Sequence, residues 1–154
     1  MKRITVFVCL LLLVHSLSFA SDWATIGTAN NGNQYFIDLD EMYFDRSSGS
    51  VNRNMVVAHE KTVLSPSEIT RYQEITRKRG QYHSGWDYLT HIITYYQYDI
   101  SGKNHAIKYL AFMNQNDNII AEYRQSPLRF KPVPSGLDEK EYNLILQNID
   151  KVKE

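Results

Sequence analysis

The densest β-forming segment of the chain lies at residues 86–100, which read Trp-Asp-Tyr-Leu-Thr-His-Ile-Ile-Thr-Tyr-Tyr-Gln-Tyr-Asp-Ile. β-Branched and aromatic side chains dominate this segment, and such residues are enriched in strands. A polar turn at residues 101–104 follows it, and two further alternating segments lie at residues 105–113 and 119–125. Three neighbouring strands joined by short polar loops predict an antiparallel meander.

The chain before this meander carries further strand signals. Residues 23–28 and 34–38 flank an Asn-Gly turn, which is a strong signal for a hairpin. A brief strand is predicted at residues 42–45, and a longer one lies within residues 51–63. The centre of the longer segment, residues 55–58, is apolar at successive positions, which predicts a central strand that is covered on its faces.

Two segments have the spacing of amphipathic helices. The first begins at Ser65, which is followed by Pro66 and by Glu68 in the arrangement of a capping box. The second begins after a proline-rich segment, with Asp138 as the expected cap, and carries an apolar stripe that includes Tyr142 and Ile145. The predicted fold class is therefore α+β: a mainly antiparallel sheet of about six strands, a C-terminal amphipathic helix and one additional short helix.

The first twenty residues have the pattern of a secretory signal peptide. Met1-Lys2-Arg3 is a positive start, residues 4–14 are apolar, and small residues stand at Ser18 and Ala20. The apolar run is too short for a transmembrane span. We therefore predict cleavage after Ala20 and a single domain at residues 21–154; an uncleaved N-terminal anchor is the alternative. Export would leave the protein in the periplasm, secreted or on the cell surface.

Composition and motifs argue against several function classes. The 154 residues carry 17 basic and 17 acidic side chains, which is unlike the basic domains that bind nucleic acids. The one cysteine, Cys9, lies within the predicted signal peptide, so neither a disulfide nor a cysteine zinc site is available to the mature chain. No nucleophile or phosphate-binding motif occurs, and His91 with His105 makes a weak case for a metal. We predict a non-enzymatic protein with no metal and no cofactor.

Two groups of residues are candidate binding contacts. Arg77, Lys78 and Arg79 end the first helix and could bind a polyanion, although cations are also favoured at a helix C-terminus. Tyr96 and Tyr98 belong to a tyrosine-rich strand whose side chains alternate between its faces. A tyrosine row on the solvent side would suit protein binding, whereas a buried row would be packing. The sequence leaves both interpretations open.

Several short motifs resemble the surface-adhesin protein E-like domain family of Gram-negative bacteria. The similar motifs are Trp23-Ala-Thr-Ile-Gly27, Tyr35-Phe-Ile-Asp38, Tyr98-Asp-Ile-Ser-Gly102 and the proline-rich tail at residues 130–139. The resemblance implies an antiparallel sheet with a C-terminal helix packed against it, and in some members a homodimer. It also implies attachment to host extracellular-matrix and serum proteins. Family members often carry cysteines that this mature chain lacks.

The expected function is therefore that of an exported bacterial envelope or secreted protein that binds a macromolecule in an adhesin-like manner. Its expected partner is a protein, either of the host extracellular matrix or of the envelope. The alternatives are a small periplasmic ligand-binding protein or enzyme, or an envelope-assembly factor. A deep pocket with convergent polar groups would favour the small-ligand alternative, and a flat or edge-exposed surface would favour protein binding.

Overall fold

The computed structural model describes residues 22–46 and 49–154, so the predicted signal peptide lies outside the described residues. The described ranges form seven strands and two α-helices, with short 3₁₀ turns at Ser84–Tyr88 and Ile149–Lys151. The helices are α1 (Pro66–Lys78) and α2 (Leu137–Gln147). The strands are β1 (Trp23–Thr28), β2 (Gln34–Asp45), β3 (Asn52–Val63), β4 (Leu89–Asp99), β5 (Asn104–Asn114), β6 (Ile119–Arg124) and β7 (Lys131–Pro132).

All strands belong to one antiparallel sheet, in the order β1-β2-β3-β4-β5-β6. Each strand pairs with its neighbour in the sequence, and the short β7 pairs with the start of β5. The long central pairing of β3 with β4 runs without a break from Met55 opposite Asp99 to Val63 opposite His91. The α+β prediction, with a meandering sheet, a C-terminal helix and one further helix, is confirmed.

Both helices pack on the same face of the sheet, which we call the helical face. Directly opposite residues of an antiparallel pair share a face, so Val56, Ala58, Tyr98 and Ile92 all project from this one. α2 contributes to a core that covers the β1–β4 end, and α1 packs on a second core beside β4–β6. Among the described residues, the opposite face carries neither helix, and we call it the helix-free face.

The two cores differ in composition. The larger one, beneath α2, is mainly aliphatic and includes Ile37, Met42 and Ile145, all fully buried. The smaller one, beneath α1, is built on Trp86 and Phe112, whose ring centroids lie 5.0 Å apart. Burial of these side chains provides most of the driving force that holds the helices on the sheet.

The strand predicted over residues 86–100 begins later than expected. Trp86 and Tyr88 lie in the 3₁₀ turn, and β4 starts at Leu89. Tyr88 therefore lies outside β4, unlike Tyr96 and Tyr98, and is 58% exposed. A strand that began at residue 86 would have placed all three tyrosines on one face. The indole of Trp86 packs in the smaller core instead, and the chain makes a 3₁₀ turn at this residue before the strand begins.

A bulge in β5 changes the faces to which its side chains project. Tyr95 pairs with Tyr109, but the next residue, Tyr96, pairs with Ile107, so Lys108 has no opposite residue. A bulge reverses the alternation that follows it. Ile107 consequently lies on the helical face and Tyr109 on the helix-free face, although a regular strand would have placed both on one face.

The helix α1 starts as its sequence predicts. Ser65 has extended backbone angles and its Oγ accepts a hydrogen bond from the Glu68 N–H at 3.4 Å. The Ser65 N–H also donates to Asn33 Oδ1 at 2.9 Å, which ties the helix start to the β1–β2 turn. By contrast, α2 begins after Gly136 without a side-chain cap, so the predicted Asp138 cap is wrong.

Substitution Ser65→Ala removes the cap acceptor and leaves the backbone bond to Asn33 in place. We expect it to lower the free energy of unfolding by about 1 kcal/mol, as for other serine caps. Urea denaturation followed by circular dichroism measures this change. An unchanged unfolding midpoint would contradict a stabilising role for the cap.

Candidate functional site

A row of aromatic rings crosses the helix-free face at right angles to the strands. It consists of Tyr43 on β2, His59 on β3, Tyr95 on β4 and Tyr109 on β5. The centroids of His59 and Tyr95 lie 3.8 Å apart with parallel rings, and those of Tyr95 and Tyr109 lie 5.1 Å apart. Tyr43 meets His59 edge to face at 6.1 Å. All four side chains are partly exposed.

Charged side chains of β6 continue this row to the edge of the sheet. The Arg124 guanidinium lies over the Tyr109 ring, 4.9 Å from its centroid. The Tyr109 hydroxyl donates a hydrogen bond to Glu122 Oε2 at 2.7 Å. Because β6 ends the strand order, its outer edge pairs with no other strand in the described ranges. The aromatic row therefore reaches an open edge that carries one cation and one anion.

Desolvation sets the charge state of the row. Burial lowers the pKa of His59, so its imidazole is neutral at pH 7. Burial and the neighbouring Glu122 carboxylate raise the pKa of Tyr109 to about 12, and burial also raises the pKa of Tyr43 and Tyr95. The rings are therefore uncharged at physiological pH, and the row offers neutral aromatic area with hydroxyl groups.

The tyrosines predicted as contacts lie on the other face. Tyr98 is fully buried in the larger core, where its ring packs near Tyr142, so its assignment as a binding contact is wrong. Tyr96 is half-buried and its ring stacks on His105, with centroids 5.3 Å apart. Tyr96 lines two pockets on the helical face, one with Arg129 and Lys131 and the other with Glu60 and Tyr72.

The predicted basic contacts do not form one patch. Successive helical residues project about 100° apart, so three consecutive cations at a helix end point in different directions. The Arg77 guanidinium stacks over the Tyr82 ring at 4.1 Å and lies 3.9 Å from Asp87. Arg79 lines a groove beside α1, and Lys78 is exposed. Arg77 and Arg79 thus face different neighbours.

Two carboxyl groups are buried together beneath α2. Glu141 of the helix is fully buried, and its carboxyl interacts with that of Glu60 on β3 and with the Tyr98 hydroxyl. The Thr62 hydroxyl donates to Glu60 Oε1 at 2.9 Å. Burial raises the pKa of Glu60 to about 7 and that of Glu141 well above its usual range. Protonation of this pair therefore changes within the range between pH 4.5 and neutrality.

The described residues hold no group of three or more metal-ligating side chains, nor a helix long and apolar enough to cross a membrane. His91 pairs with Met113 and His105 with Tyr98, at opposite ends of the β4–β5 hairpin. The two histidines therefore do not meet, although the hairpin had suggested that they could.

The aromatic row was only partly visible in the sequence. Alternation along β4 places Tyr95 on the other face of the sheet from Tyr96, and this was the one sequence signal for the row. The contributions of Tyr43 and His59 depend on which strands are neighbours, and that of Tyr109 depends on the β5 bulge. None of these features has a local sequence pattern.

Comparison of the chain with protein-family models, with curated proteins and with solved structures gave no match. The resemblance to surface-adhesin protein E-like domains therefore stays a prediction. Functional inference depends on the geometry of the chain itself.

Proposed function

We propose that the protein is an exported, non-enzymatic binding domain whose helix-free face contacts a protein partner. The observation that carries this proposal is the aromatic row of Tyr43, His59, Tyr95 and Tyr109, which lies on a sheet face without a covering helix. Tyrosine provides a large contact area and a hydroxyl at a low cost in side-chain entropy. Tyrosine and arginine are also the residue types in which binding hot spots are enriched.

The open edge of β6 supports the same proposal. A partner strand can add to an unpaired edge through main-chain hydrogen bonds, and the side chains beside that edge then determine specificity. Glu122 and Arg124 stand there, next to the last ring of the row. The partner is an envelope protein or, by the resemblance, a host extracellular-matrix protein. The third candidate partner is a second copy of this chain, which would give a homodimer.

Export is the first testable part of this proposal. We expect a tagged protein in a Gram-negative host to appear outside the cytoplasm, with its N-terminus at Ser21, because residues 1–20 match a cleavable signal. Cell fractionation and mass measurement of the purified chain check both points. A full-length chain that remains in the cytoplasm would contradict the proposal.

The binding face is tested by crosslinking in the exported compartment. A photoreactive aromatic residue replaces Tyr43 in one variant and Tyr88 in a control. Both positions carry tyrosine, but Tyr88 lies in the 3₁₀ turn, away from the row, and is 58% exposed. We expect a discrete crosslinked protein from position 43 only. Its mass distinguishes another protein from a second copy, and equal crosslinking from both positions would refute the assignment of the face.

A further inference from the structure

A groove of about 400 Å³ opens on the helical face, between α1 and the β5–β6 edge of the sheet. Tyr72 and Ile75 line it from the helix, and Leu110 and Phe112 line it from β5. The volume lies within the range of about 300–1,000 Å³ that is typical of small-molecule sites. The groove therefore has the size and the lining to hold an apolar chain.

An unsatisfied donor belongs to the wall of this groove. Trp86 lines it and is only 2% exposed, yet its indole Nε1 has no hydrogen-bond partner among the described residues. Buried N–H groups are nearly always paired in folded proteins, by protein, water or ligand. The indole ring adds aromatic area to the wall of the groove, and its buried N–H is not part of the proposed contact with a ligand.

A polar pocket of about 440 Å³ adjoins the apolar groove, since Ile107 and Gln125 line both. Arg129 and Lys131 line the polar pocket, together with one carboxylate, Asp138. Both cations are exposed and outnumber the carboxylate.

The floor of the polar pocket has further polar groups, supplied by Tyr96 and His105. The His105 Nδ1 atom is buried and has no hydrogen-bond partner in the described part of the chain. Its other ring nitrogen lies 4.0 Å from Asp138 Oδ2. The pocket thus combines an excess of cationic side chains with a tyrosine and a histidine ring at its floor.

We propose that this continuous cleft binds a single-chain amphiphile with an anionic head group, such as a free long-chain carboxylate. The apolar chain lies in the groove against Leu110 and Phe112, and the head group lies between Arg129 and Lys131. Charge complementarity selects an anion over a neutral or cationic head group. The cleft is on the helical face, and it shares only Arg124, at the β6 edge, with the residues proposed for the protein contact. Tyr43 does not line the cleft, so position 43 distinguishes the two proposals.

Laurate is the probe for this site, and dodecanol and dodecyltrimethylammonium are the neutral and cationic probes of equal chain length. The variant Trp23→Phe leaves Trp86 as the only tryptophan of the chain. We expect terminally brominated laurate to quench Trp86 emission in a saturable manner, because the bromine would lie in the groove. Isothermal titration with unmodified laurate gives its dissociation constant below the concentration at which micelles form.

Two variants distinguish binding in the apolar groove from binding in the polar pocket. Arg129→Glu with Lys131→Glu is expected to weaken laurate binding at least about tenfold, through loss of charged contacts, and to change dodecanol binding far less. Ile107→Asp, at the junction of the apolar groove and the polar pocket, is expected to weaken the binding of both ligands. Its matched control is Ile119→Asp: Ile119 is 55% exposed on β6 and does not line the cleft, whereas Ile107 is 36% exposed. Circular dichroism confirms that each variant is folded.

Laurate binding that is lost with Ile107→Asp and retained with Ile119→Asp supports the proposal. Three results would overturn it: no saturable quenching of Trp86, equal affinity for laurate and dodecyltrimethylammonium, or recruitment to phosphatidylglycerol vesicles without binding of free laurate. None of these results bears on crosslinking at position 43, so the two proposals succeed or fail separately.

Discussion

Raising the pH from about 4.5 to about 7 is expected to lower the free energy of unfolding, because Glu60 and Glu141 are buried together. The pKa of Glu60 rises from 4.5 to about 7 in the folded chain, and that of Glu141 rises in the same direction. The folded state therefore retains protons that the unfolded state releases in this interval, and linkage makes stability decrease as pH rises. The two carboxyls lie together, so this loss of stability belongs to the pair and not to either residue alone.

The direction in which stability changes with pH distinguishes this pair from ordinary surface carboxylates. Stability from the pair is fully present below pH 4.5 and is lost as the pH rises through the folded pKa of each carboxyl, so it is lowest once both have ionised. Glu68 and Asp99, whose pKa values are lowered by hydrogen bonds, act in the opposite direction and at lower pH. Asp138 also faces the pair, and its charge opposes ionisation of both carboxyls. The Tyr98 hydroxyl acts the other way, since its interaction with Glu141 lowers the pKa of that carboxyl, although burial outweighs it.

The substitution Glu141→Gln tests this account because an amide keeps the shape of the side chain but cannot ionise. We expect the variant to be more stable than the wild type at pH 8 and to lose less free energy between pH 4.5 and 7. The matched control is Glu139→Gln in the same helix, where Glu139 is partly exposed and pairs with Lys103 at 2.7 Å. Urea unfolding at several pH values measures the difference. Parallel pH profiles for Glu141→Gln and the wild type would contradict it.

The attachment of α2 to the sheet depends on a few buried side chains. Ile145 is fully buried in the larger core, so Ile145→Ala would leave a cavity and is expected to cost about 2–5 kcal/mol. The next residue, Leu146, is 38% exposed, and Leu146→Ala should change stability by less than about 1 kcal/mol. Denaturant unfolding compares the two, and equal losses would show that α2 does not pack as described.

Local sequence patterns predicted those parts of the fold that depend on local interactions. The Ser65 cap involves residues three positions apart, and the β1 bounds follow from a strand beside an Asn-Gly turn. The 3₁₀ turn at Trp86 was missed because an aromatic residue suits a strand as well as it suits a core. The tertiary contact of Trp86 with Phe112 determined the outcome.

The candidate sites were less predictable because they join distant residues. Glu141 is an acidic residue in a helix whose apolar stripe was evident, and its contact with Glu60 on β3 becomes apparent only in the fold. The stacking of His59 on Tyr95 requires β3 and β4 to be neighbours in one register. Tyr96 and Tyr98 were chosen from a tyrosine-rich segment, but the faces of that segment could not be assigned until α2 was placed.

The central claim is that the helix-free face binds a protein. Its most direct measurement is the affinity of the purified chain for the protein crosslinked at position 43, determined for Tyr43→Ala, Arg124→Glu and the control Tyr88→Ala. We predict a loss of about tenfold or more for the first two variants, as expected when hot-spot contacts are removed, and no change for the control. Unchanged affinity for Tyr43→Ala and Arg124→Glu, with a loss for Tyr88→Ala, would contradict the claim.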